Sequence, residues 1–336
     1  MHDALFFEKY KNKIVKCNLC PHYCLIQEDK HGVCAIRKNV GGKLFSLVYG
    51  RAVGCSPDPI EKKPLYHFLP GTRIFSYATA GCNFKCSFCQ NWNISQVSKG
   101  EAGQIIGEKQ SPSEIIRDAI SMNCKSIAMT YNEPSIQFEY ALDVAKEAKS
   151  KGLSNVFVSN GYITKEPINE ISKYLDAINI DLKSFDDEFY KKVCGARLKP
   201  VLDAIKYYYK KGVWLEITTL VIPDENDSTD ELKQIAKFIA SIDKNIPWHI
   251  SRFHPDFEMM DRRVTPLKTL LKAYQIGQEA GLNYTYLGNI KTNDFEHTLC
   301  PNCKEVLIGR SGFLNIENNL EGSKCKYCSQ EIPGIF

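Results

Sequence analysis

The feature that most constrains the fold is an alternation of short apolar runs with amphipathic helical segments, which begins near residue 73. The apolar runs are rich in β-branched and aromatic residues, and segments with helical periodicity separate them. They cover residues 73–80, 126–131, 155–160, 177–183, 213–222, 247–253 and 283–288. This alternation predicts βαβ units and a mainly parallel sheet, which can close into a barrel or stay open.

Two of the predicted helices begin with recognisable capping residues. Ser111 is followed by Pro112 and then by Glu114 at the third helical position, which is the capping-box pattern. Ser228 and Glu231 repeat this pattern later in the chain. These signals predict helices that start near residues 112 and 229.

The composition argues against several functional classes. The chain has 336 residues and a net charge of +4, which is too balanced to indicate nucleic acid or an anionic membrane surface. Its longest apolar stretches fall far short of the ~20 residues that a membrane span needs. The first residues, MHDALFFEKYKNK, lack the apolar core of a signal peptide. We therefore expect a cytoplasmic protein with no membrane partner.

The cysteines indicate metal chemistry in a reducing compartment. Fourteen cysteines in 336 residues fall well below the ~8–10% of secreted disulfide scaffolds. Isolated cysteines are most often small buried apolar residues, which is the expectation for Cys55, Cys124 and Cys194. The remaining cysteines form groups near the two ends of the chain and directly after the first predicted strand.

The C-terminal group has the spacing of a zinc ribbon. Cys300-x2-Cys303 and Cys325-x2-Cys328 form two knuckles that can supply four thiolates to one tetrahedral zinc ion. The competing interpretation is an iron–sulfur site, which usually has more irregular spacing. We expect a structural zinc with no catalytic role.

The N-terminal group is less decisive. Its members are Cys17, Cys20, Cys24 and Cys34. The favoured hypothesis is a zinc site, built from cysteines alone or with His22 or His31 as a ligand. A second iron–sulfur cluster and unligated thiols remain open alternatives.

The middle group lies in the sequence GCNFKCSFCQNW. Cys82, Cys86 and Cys89 occupy a loop at the carboxyl end of the first predicted strand, where reactive sites collect in parallel α/β proteins. Three thiolates can hold three irons of a [4Fe–4S] cluster and leave the fourth iron open to an exchangeable ligand. A structural zinc would need a fourth ligand, and residues 90–110 contain no Cys or His.

The Cys-x3-Cys-x2-Cys spacing, with Phe88 before the last cysteine, resembles the cluster motif of the radical S-adenosylmethionine (SAM) enzymes. Glu133 lies in TYNEP, which is similar to the family's Gly-Gly-Glu-Pro element that holds the SAM amino group. Ser159 and Asn160 lie in SNG, which is similar to the Thr-Asn-Gly of glycyl-radical activating enzymes. The resemblance implies that these residues contribute to the cofactor site.

Later strand ends supply further candidates. Asp181 and Lys183 match the Asp-Leu-Lys of the activating enzymes, which implies a place near the SAM carboxylate with Lys183 as counter-charge. Glu216 and Thr218 share one face of the fifth strand, and this polar face is expected to contact cofactor or substrate. His254 matches a position where a histidine approaches SAM in the activating enzymes. Lys183 and His254 are the expected catalytic residues.

Single candidates also have structural interpretations. Glu133 can be an acidic residue at a helix N-terminus, and Asn160-Gly161 can be an ordinary turn. His254 can be a hydrogen-bonded structural histidine. The ordered set as a whole is hard to explain by packing.

The resemblance becomes full-length and narrower with further segments. DPIEKKPLYHFLPGT, CQNWNIS, CPHYC, CPNC and IPG look like the radical SAM proteins of the AmmeMemoRadiSam system, which are labelled pyruvate formate-lyase activating enzyme-like. The resemblance implies an α/β fold with a partial (β/α)6 TIM-type barrel, and a [4Fe–4S] cluster and SAM as cofactors. The expected domains are a Cys-rich N-terminal extension (1–70), a radical SAM core (71–290) and a zinc-ribbon-like tail (291–336).

Two enzymatic hypotheses follow from the resemblance. The first is an activating enzyme that abstracts hydrogen from a glycine of a glycyl-radical protein. The second is radical modification of a small molecule or another macromolecule. Both need a low-potential flavodoxin- or ferredoxin-type electron donor, and the family name implies AMMECR-type and Memo-like proteins as partners. A non-enzymatic metal-binding module is weaker, because it leaves Glu133, Asp181 and Lys183 unexplained.

Overall fold

The structure is a computed structural model that describes residues 1–100, 103–291, 294–313 and 315–336. Its centre is a nine-stranded sheet whose strands lie in the order β9-β8-β7-β6-β5-β4-β2-β1-β3. The strands are β1 (Arg51–Pro59), β2 (Arg73–Ala78), β3 (Glu108–Lys109), β4 (Ser126–Met129), β5 (Ser154–Ser159), β6 (Ala177–Asp181), β7 (Trp214–Val221), β8 (Trp248–Arg252) and β9 (Thr285–Gly288).

Neighbouring strands from β2 through β4 to β9 are parallel, so the prediction of a mainly parallel α/β sheet is confirmed. The long strand β1 adds an antiparallel edge beside β2, and the short β3 pairs with β1. Among the described residues β9 and β3 are the two edges, and the sheet is open. That the sheet curves into a partial (β/α)6 barrel stays a prediction.

Six helices connect the parallel strands. They are α1 (Pro112–Ser121), α2 (Phe138–Ser150), α3 (Lys165–Ile171), α4 (Leu198–Lys210), α5 (Thr229–Ile242) and α6 (Leu267–Glu279). The Ser111 hydroxyl accepts from Glu114 N and the Glu114 carboxylate accepts from Ser111 N, as the capping-box pattern predicts. Ser228 caps α5 by accepting from Glu231 N, but the reciprocal bond is absent because the Glu231 carboxylate accepts from Ser184 Oγ and Phe185 N instead.

Shorter helical segments lie in the loops. Trp92–Ser95 and Asp187–Phe189 are single α-helical turns, and Tyr190–Cys194 is a π-helical turn. The 3-10 turns are Lys11–Lys13, Ile60–Lys62 and Pro134–Gln137. None of the described helices is long and apolar enough to cross a membrane.

The N-terminal part forms two small three-stranded sheets. Their strands are His2–Asp3, Phe7–Lys9, Val15–Cys17, Leu25–Ile26, Arg37–Val40 and Lys43–Ser46. This part packs against loops that leave the carboxyl ends of the parallel strands. His22 Nε2 lies 2.8 Å from Asn83 O in the loop after β2, and Thr164 N after β5 donates to Leu19 O at 3.1 Å.

The C-terminal part packs at the opposite, amino end of the sheet. Its strands are Thr298–Leu299, Val306–Ser311, Asn315–Asn318, Leu320–Glu321 and Lys324–Cys325. The Arg310 guanidinium lies 4.1 Å from the Tyr66 ring centroid, and His67 Nδ1 lies 2.9 Å from Pro333 O. The two ends of the chain therefore meet different ends of the same sheet.

Candidate functional site

A pocket of about 220 Å³ opens at the carboxyl end of the parallel strands. All three cysteines of the central motif line it. The other lining residues come mostly from strand ends and include Phe88, Gln90, Tyr131, Asn132, Asn160, Asp181, Lys183, Thr218, Leu220 and Ser251. The structure thus brings together residues that are spread over 170 positions of the chain from Cys82 to Ser251, roughly half its length, as the parallel topology requires.

The loop that carries the cysteines depends on a glycine. Gly81 has φ +95°, and a Cβ there would lie 2.7 Å from Ile36 Cγ2 and 3.0 Å from Cys34 O. A larger residue would therefore collide with the N-terminal part of the chain. The turn after it is closed by a hydrogen bond from Cys89 N to Cys86 O at 3.2 Å. This backbone presents the three sulfurs to one pocket.

The thiols of this loop are held in surroundings that oppose ionisation. Burial raises the pKa of Cys82 and of Cys89, and a hydrogen bond with Cys194 together with burial raises the pKa of Cys86. Such thiols become thiolate ligands only when a metal supplies the compensating positive charge. Cys194, which lies at the end of the π-helical turn, is a fourth cysteine beside the motif that its sequence position did not reveal.

Lys183 supplies a positive charge to the pocket. Its Nζ lies 3.0 Å from Asp181 Oδ2 and 5.5 Å from the Phe88 ring centroid. Burial alone would lower the pKa of Lys183, but the negative charge of Asp181 raises it well above its usual value. The ammonium group is thus kept charged beside the cysteines.

Glu133 and Ser159 lie behind the pocket wall. Glu133 is fully buried, and its carboxylate accepts hydrogen bonds from Ser135 N, Ser159 Oγ and Asn160 N at 2.7–3.1 Å. These contacts join the loop after β4 to the end of β5. Both residues therefore position their neighbours in the pocket.

Two amides reach the pocket itself. Asn160 Nδ2 donates to Asn83 Oδ1 at 2.8 Å and lies 3.8 Å from Cys82 Sγ. Asn132 Nδ2 donates to the carbonyl groups of Thr79 and Gly81, whereas its buried Oδ1 has no partner among the described residues. Asn132 lines the pocket, and its Oδ1 is an acceptor whose hydrogen-bonding capacity the described residues leave unused. Its place in the TYNEP motif was the available sequence signal.

The remaining candidates are divided between pocket, rim and interior. Thr218 lines the pocket and its hydroxyl donates to Asn179 Oδ1 at 2.9 Å. His254 is exposed, and its Nδ1 lies 3.1 Å from Nε2 of the pocket residue Gln90. Glu216 lies near the amino end of β7 and outside the pocket lining.

The carboxylate of Glu216 is fully engaged. It accepts hydrogen bonds from Tyr66 N, His67 N and Trp214 Nε1 at 2.8–3.0 Å, and it lies 2.6 Å from His249 Nε2. These contacts anchor the loop after β1 to the amino end of the sheet. The expectation that Glu216 contacts cofactor or substrate is therefore wrong for a physical reason: Glu216 does not line the pocket, and its oxygens have no free acceptor capacity for a ligand.

The C-terminal cysteines form a compact tetrad. Cys300, Cys303, Cys325 and Cys328 have sulfur atoms that all lie within 4.8 Å of one another, with 3.6 Å between Cys300 and Cys328 and 3.7 Å between Cys303 and Cys325. Four sulfurs placed ~2.3 Å from one zinc ion would be separated by similar distances. The donor set and its geometry thus fit the predicted metal.

The isolated cysteines have different surroundings. Cys124 and Cys194 are buried, as expected. Cys55 is exposed and its thiol lies 3.0 Å from Gln110 Oε1, so the expectation of burial was wrong there. Cys55 lies in the irregular stretch of β1 between Val53 and Ser56, beyond the two residues that pair with β3, and this position leaves its side chain at the surface.

Comparisons with known proteins agree with the fold and the site. A family model for the radical SAM superfamily matches residues 76–239. Uncharacterized protein MJ0808 of Methanocaldococcus jannaschii is 42% identical over 341 residues, and the alignment covers 100% of both chains. The pyruvate formate-lyase 1-activating enzyme of Escherichia coli K12 is 24% identical over 189 residues, which cover 54% of this chain and 75% of that enzyme.

A solved structure supports the fold independently. The radical SAM methyltransferase from Sphaerobacter thermophilus matches with a TM-score of 0.52 at 13% identity, over 66% of this chain and 67% of that chain. At this identity the match concerns the fold alone. The matched family segment contains the cysteine motif and the strand ends up to Thr218.

Proposed function

The chain belongs to the radical SAM superfamily and is an enzyme that acts by radical chemistry, and on this premise we propose that it activates a partner protein by hydrogen abstraction. The family implies a [4Fe–4S] cluster and SAM as cofactors. We assign the cluster to Cys82, Cys86 and Cys89. The observation that carries the assignment is that these three cysteines share one pocket with a partly buried lysine and with an asparagine whose amide oxygen has no partner among the described residues.

The residues of this pocket fit the two cofactors by their chemistry. Three cysteines leave one iron of a four-iron cluster without a protein ligand, where the amino acid part of SAM can bind. Asn132 Oδ1 can accept from the SAM ammonium group, and Lys183 can balance the SAM carboxylate. When bound, the cluster supplies the electron that splits SAM into methionine and a 5′-deoxyadenosyl radical.

The protein contributes orientation and exclusion of solvent. Phe88 and Leu220 present apolar groups to the pocket, which reduces the access of water to a reactive intermediate. Glu133 and Ser159 hold the loops that carry Asn132 and Asn160. His254 lies at the rim and its ring is within hydrogen-bonding distance of the pocket residue Gln90. We propose that His254 orients Gln90 toward bound SAM or a substrate.

The relatives and the motif set support the proposed substrate class. The activating enzyme of Escherichia coli is named for pyruvate formate-lyase, and SNG and DLK resemble segments of activating enzymes. We therefore favour a glycine residue of a partner protein as the hydrogen donor. A flavodoxin- or ferredoxin-type protein would supply the electron. AMMECR-type and Memo-like proteins are further proposed partners.

The C-terminal tetrad is proposed to bind a structural zinc ion. Its four thiolates match the ligand number, ligand type and sulfur spacing of such a site. The tetrad packs with Tyr284 and Tyr286 from the amino end of β9, far along the strand direction from the pocket. A zinc ion there would stabilise the tail against the sheet.

The proposed function can be tested under anaerobic conditions with the reconstituted, reduced protein and SAM. Formation of 5′-deoxyadenosine is the expected result, and its complete absence from protein that contains iron and sulfide would exclude the proposed chemistry. Deuterated candidate substrates then separate the two substrate classes. A glycyl radical signal on a partner protein supports activation, whereas label transfer from a small molecule favours the alternative.

A further inference from the structure

We propose that Cys17, Cys20, Cys24 and Cys34 ligate a second [4Fe–4S] cluster, separate from the cluster in the pocket. The four cysteines come from a strand end, two turns and a loop of the N-terminal part of the chain. This group is called the N-terminal quartet below.

The four cysteines line one small cavity of about 10 Å³, which is near the minimum space for a single water molecule. The other lining side chains are largely apolar and include Leu19, Ile26, Val33 and Ile136. An ordered water molecule is not favoured in this cavity, because the cavity offers few hydrogen-bonding partners besides thiols. A shielded apolar space lined by four thiols suits an iron–sulfur cluster, whose stability depends on protection from solvent.

The spacing of the sulfurs distinguishes the N-terminal quartet from a zinc site. In the C-terminal tetrad all sulfurs lie within 4.8 Å of one another, and this is the only such group of metal-ligating side chains among the residues that the structure describes. Zinc needs sulfurs ~3.8 Å apart, since each lies ~2.3 Å from the metal in a tetrahedron. Four sulfurs that surround a common cavity at a wider spacing instead fit a cluster of several metal atoms.

A buried arginine supports the presence of a negatively charged ligand. Arg37 is 1% exposed and lines the same cavity. Its Nη1 binds the Glu139 carboxylate at 3.0 and 3.2 Å, while its Nε has no partner among the described residues. A buried N–H group without an acceptor is costly, by about 1–3 kcal/mol. A sulfide or cysteine sulfur of a bound cluster would supply the missing acceptor.

The histidines that could replace a cysteine in a zinc site are placed differently. His22 Nε2 is engaged with Asn83 O at 2.8 Å, and His31 is exposed on the bridge to Lys38. His22 also lines the cavity, but its Nε2 is already engaged, whereas His31 does not line the cavity and all four cysteines do. Four thiols around the cavity are a complete ligand set without a histidine, which favours iron–sulfur chemistry over a mixed Cys/His zinc site.

The test compares metal content in variants of the full-length chain after anaerobic reconstitution. In the triple variant Cys82→Ala/Cys86→Ala/Cys89→Ala the pocket cluster has no ligands. We expect iron and sulfide to fall from about eight to about four per chain, with a [4Fe–4S]⁺ spin-resonance signal on reduction. Further substitution of Cys20→Ser and Cys24→Ser is expected to remove the remaining iron. Because the triple variant cannot cleave SAM in any case, this result is independent of the proposed reaction.

Matched controls separate ligand loss from misfolding. Cys55→Ser and Cys124→Ser in the triple variant are expected to leave iron and sulfide unchanged. Retained zinc in the C-terminal tetrad and an unchanged far-ultraviolet spectrum report a folded chain. If the triple variant does not fold, iron per wild-type chain decides the question, because one cluster gives about four irons and two give about eight. Two zinc ions per chain, or no iron in a folded triple variant, would overturn the proposal.

Discussion

The two ends of the parallel sheet use cysteine and buried charge in opposite ways. At the carboxyl end, three cysteines share an open pocket with Lys183 and with Asn132, whose amide oxygen has no partner in the part of the chain that the structure describes. At the amino end, the tail closes four cysteines on one another, and Glu216 has all its acceptor capacity used. The contrast therefore lies in the thiols: at the carboxyl end they face an open pocket where a ligand can bind, and at the amino end they are closed on one another, which suits a structural site.

The largest effect is expected from loss of a cysteine in the pocket. Cys86→Ala should remove the pocket cluster and reduce 5′-deoxyadenosine formation to the level of the protein-free reaction, while zinc in the tail stays bound. Iron, zinc and 5′-deoxyadenosine are measured on the same sample. Cys124→Ala is the matched control at a buried cysteine outside the motifs. Substantial SAM cleavage by Cys86→Ala would refute the cluster assignment.

A substitution in the tail should have the converse effect. Cys325→Ser removes one of four proposed zinc ligands, and we expect loss of zinc and a fall of about 4 kcal/mol or more in the free energy of unfolding. The folded fraction should still cleave SAM at low temperature, because the tetrad lies at the far end of the sheet. Denaturant unfolding and zinc analysis check this, with exposed Cys55→Ser as control. If the rate of SAM cleavage per folded molecule fell together with the zinc content, the two ends of the sheet would not be functionally separate.

The amino end should also respond to acid through His67. Burial lowers the pKa of His67 to about 4, and its ring lies between Pro333 O and the Tyr286 hydroxyl at 2.9 and 2.7 Å. The neutral ring is favoured in the folded state, so its contribution is complete above pH 6.5 and is lost as the pH falls toward 4. Linkage predicts a loss of about 3 kcal/mol at pH 4.

The His67 effect is measured as a difference, because other groups titrate in the same range. Unfolding free energies of the wild type and His67→Gln are compared between pH 7.5 and pH 4. The wild type should lose more stability than the variant over this interval. Parallel pH profiles for the two proteins would show that His67 is not the responsible group.

The smallest effect is expected from the charge in the pocket. Lys183→Met should weaken SAM binding about 10- to 100-fold, since one charge-assisted interaction is worth about 1.5–3 kcal/mol. Lys183→Arg should recover part of the affinity because the positive charge returns. Lys85→Met, at an exposed lysine of the cysteine loop, is the matched control. Equal SAM affinity in the wild type and in Lys183→Met would show that Lys183 does not contribute to SAM binding.

Much of the fold could be predicted because its signals are local. The strand runs, the capping box at Ser111 and the N-cap at Ser228 depend on periodicity and on residues close in sequence. The parallel topology then explains why Asn160, Asp181 and Lys183 meet the cysteine motif in one pocket. Each of these residues lies at or just after the carboxyl end of a strand.

Other site properties could not be predicted because they depend on hydrogen bonds between distant segments. Glu133 is engaged by the end of β5, which leaves Asn132 as the free acceptor of the same motif. The sequence pattern places Glu216 and Thr218 on one strand face. In the structure the backbone N–H groups of Tyr66 and His67 donate to the Glu216 carboxylate, whereas Thr218 still lines the pocket. No local pattern specifies which of two neighbouring polar groups will meet a partner.

The sequence by itself determined the alternating α/β architecture, the three cysteine groups and the family to which the chain is similar, because these follow from residue order and spacing. Only the tertiary structure decided which groups remain open. It brought Cys194 beside Cys86 and compacted the C-terminal tetrad. It left the sulfurs of the N-terminal quartet more widely spaced around a small cavity, next to an Arg37 Nε that has no partner among the described residues. The physical reason is that hydrogen-bond satisfaction and sulfur spacing are properties of packed segments, and these segments meet only in the folded chain.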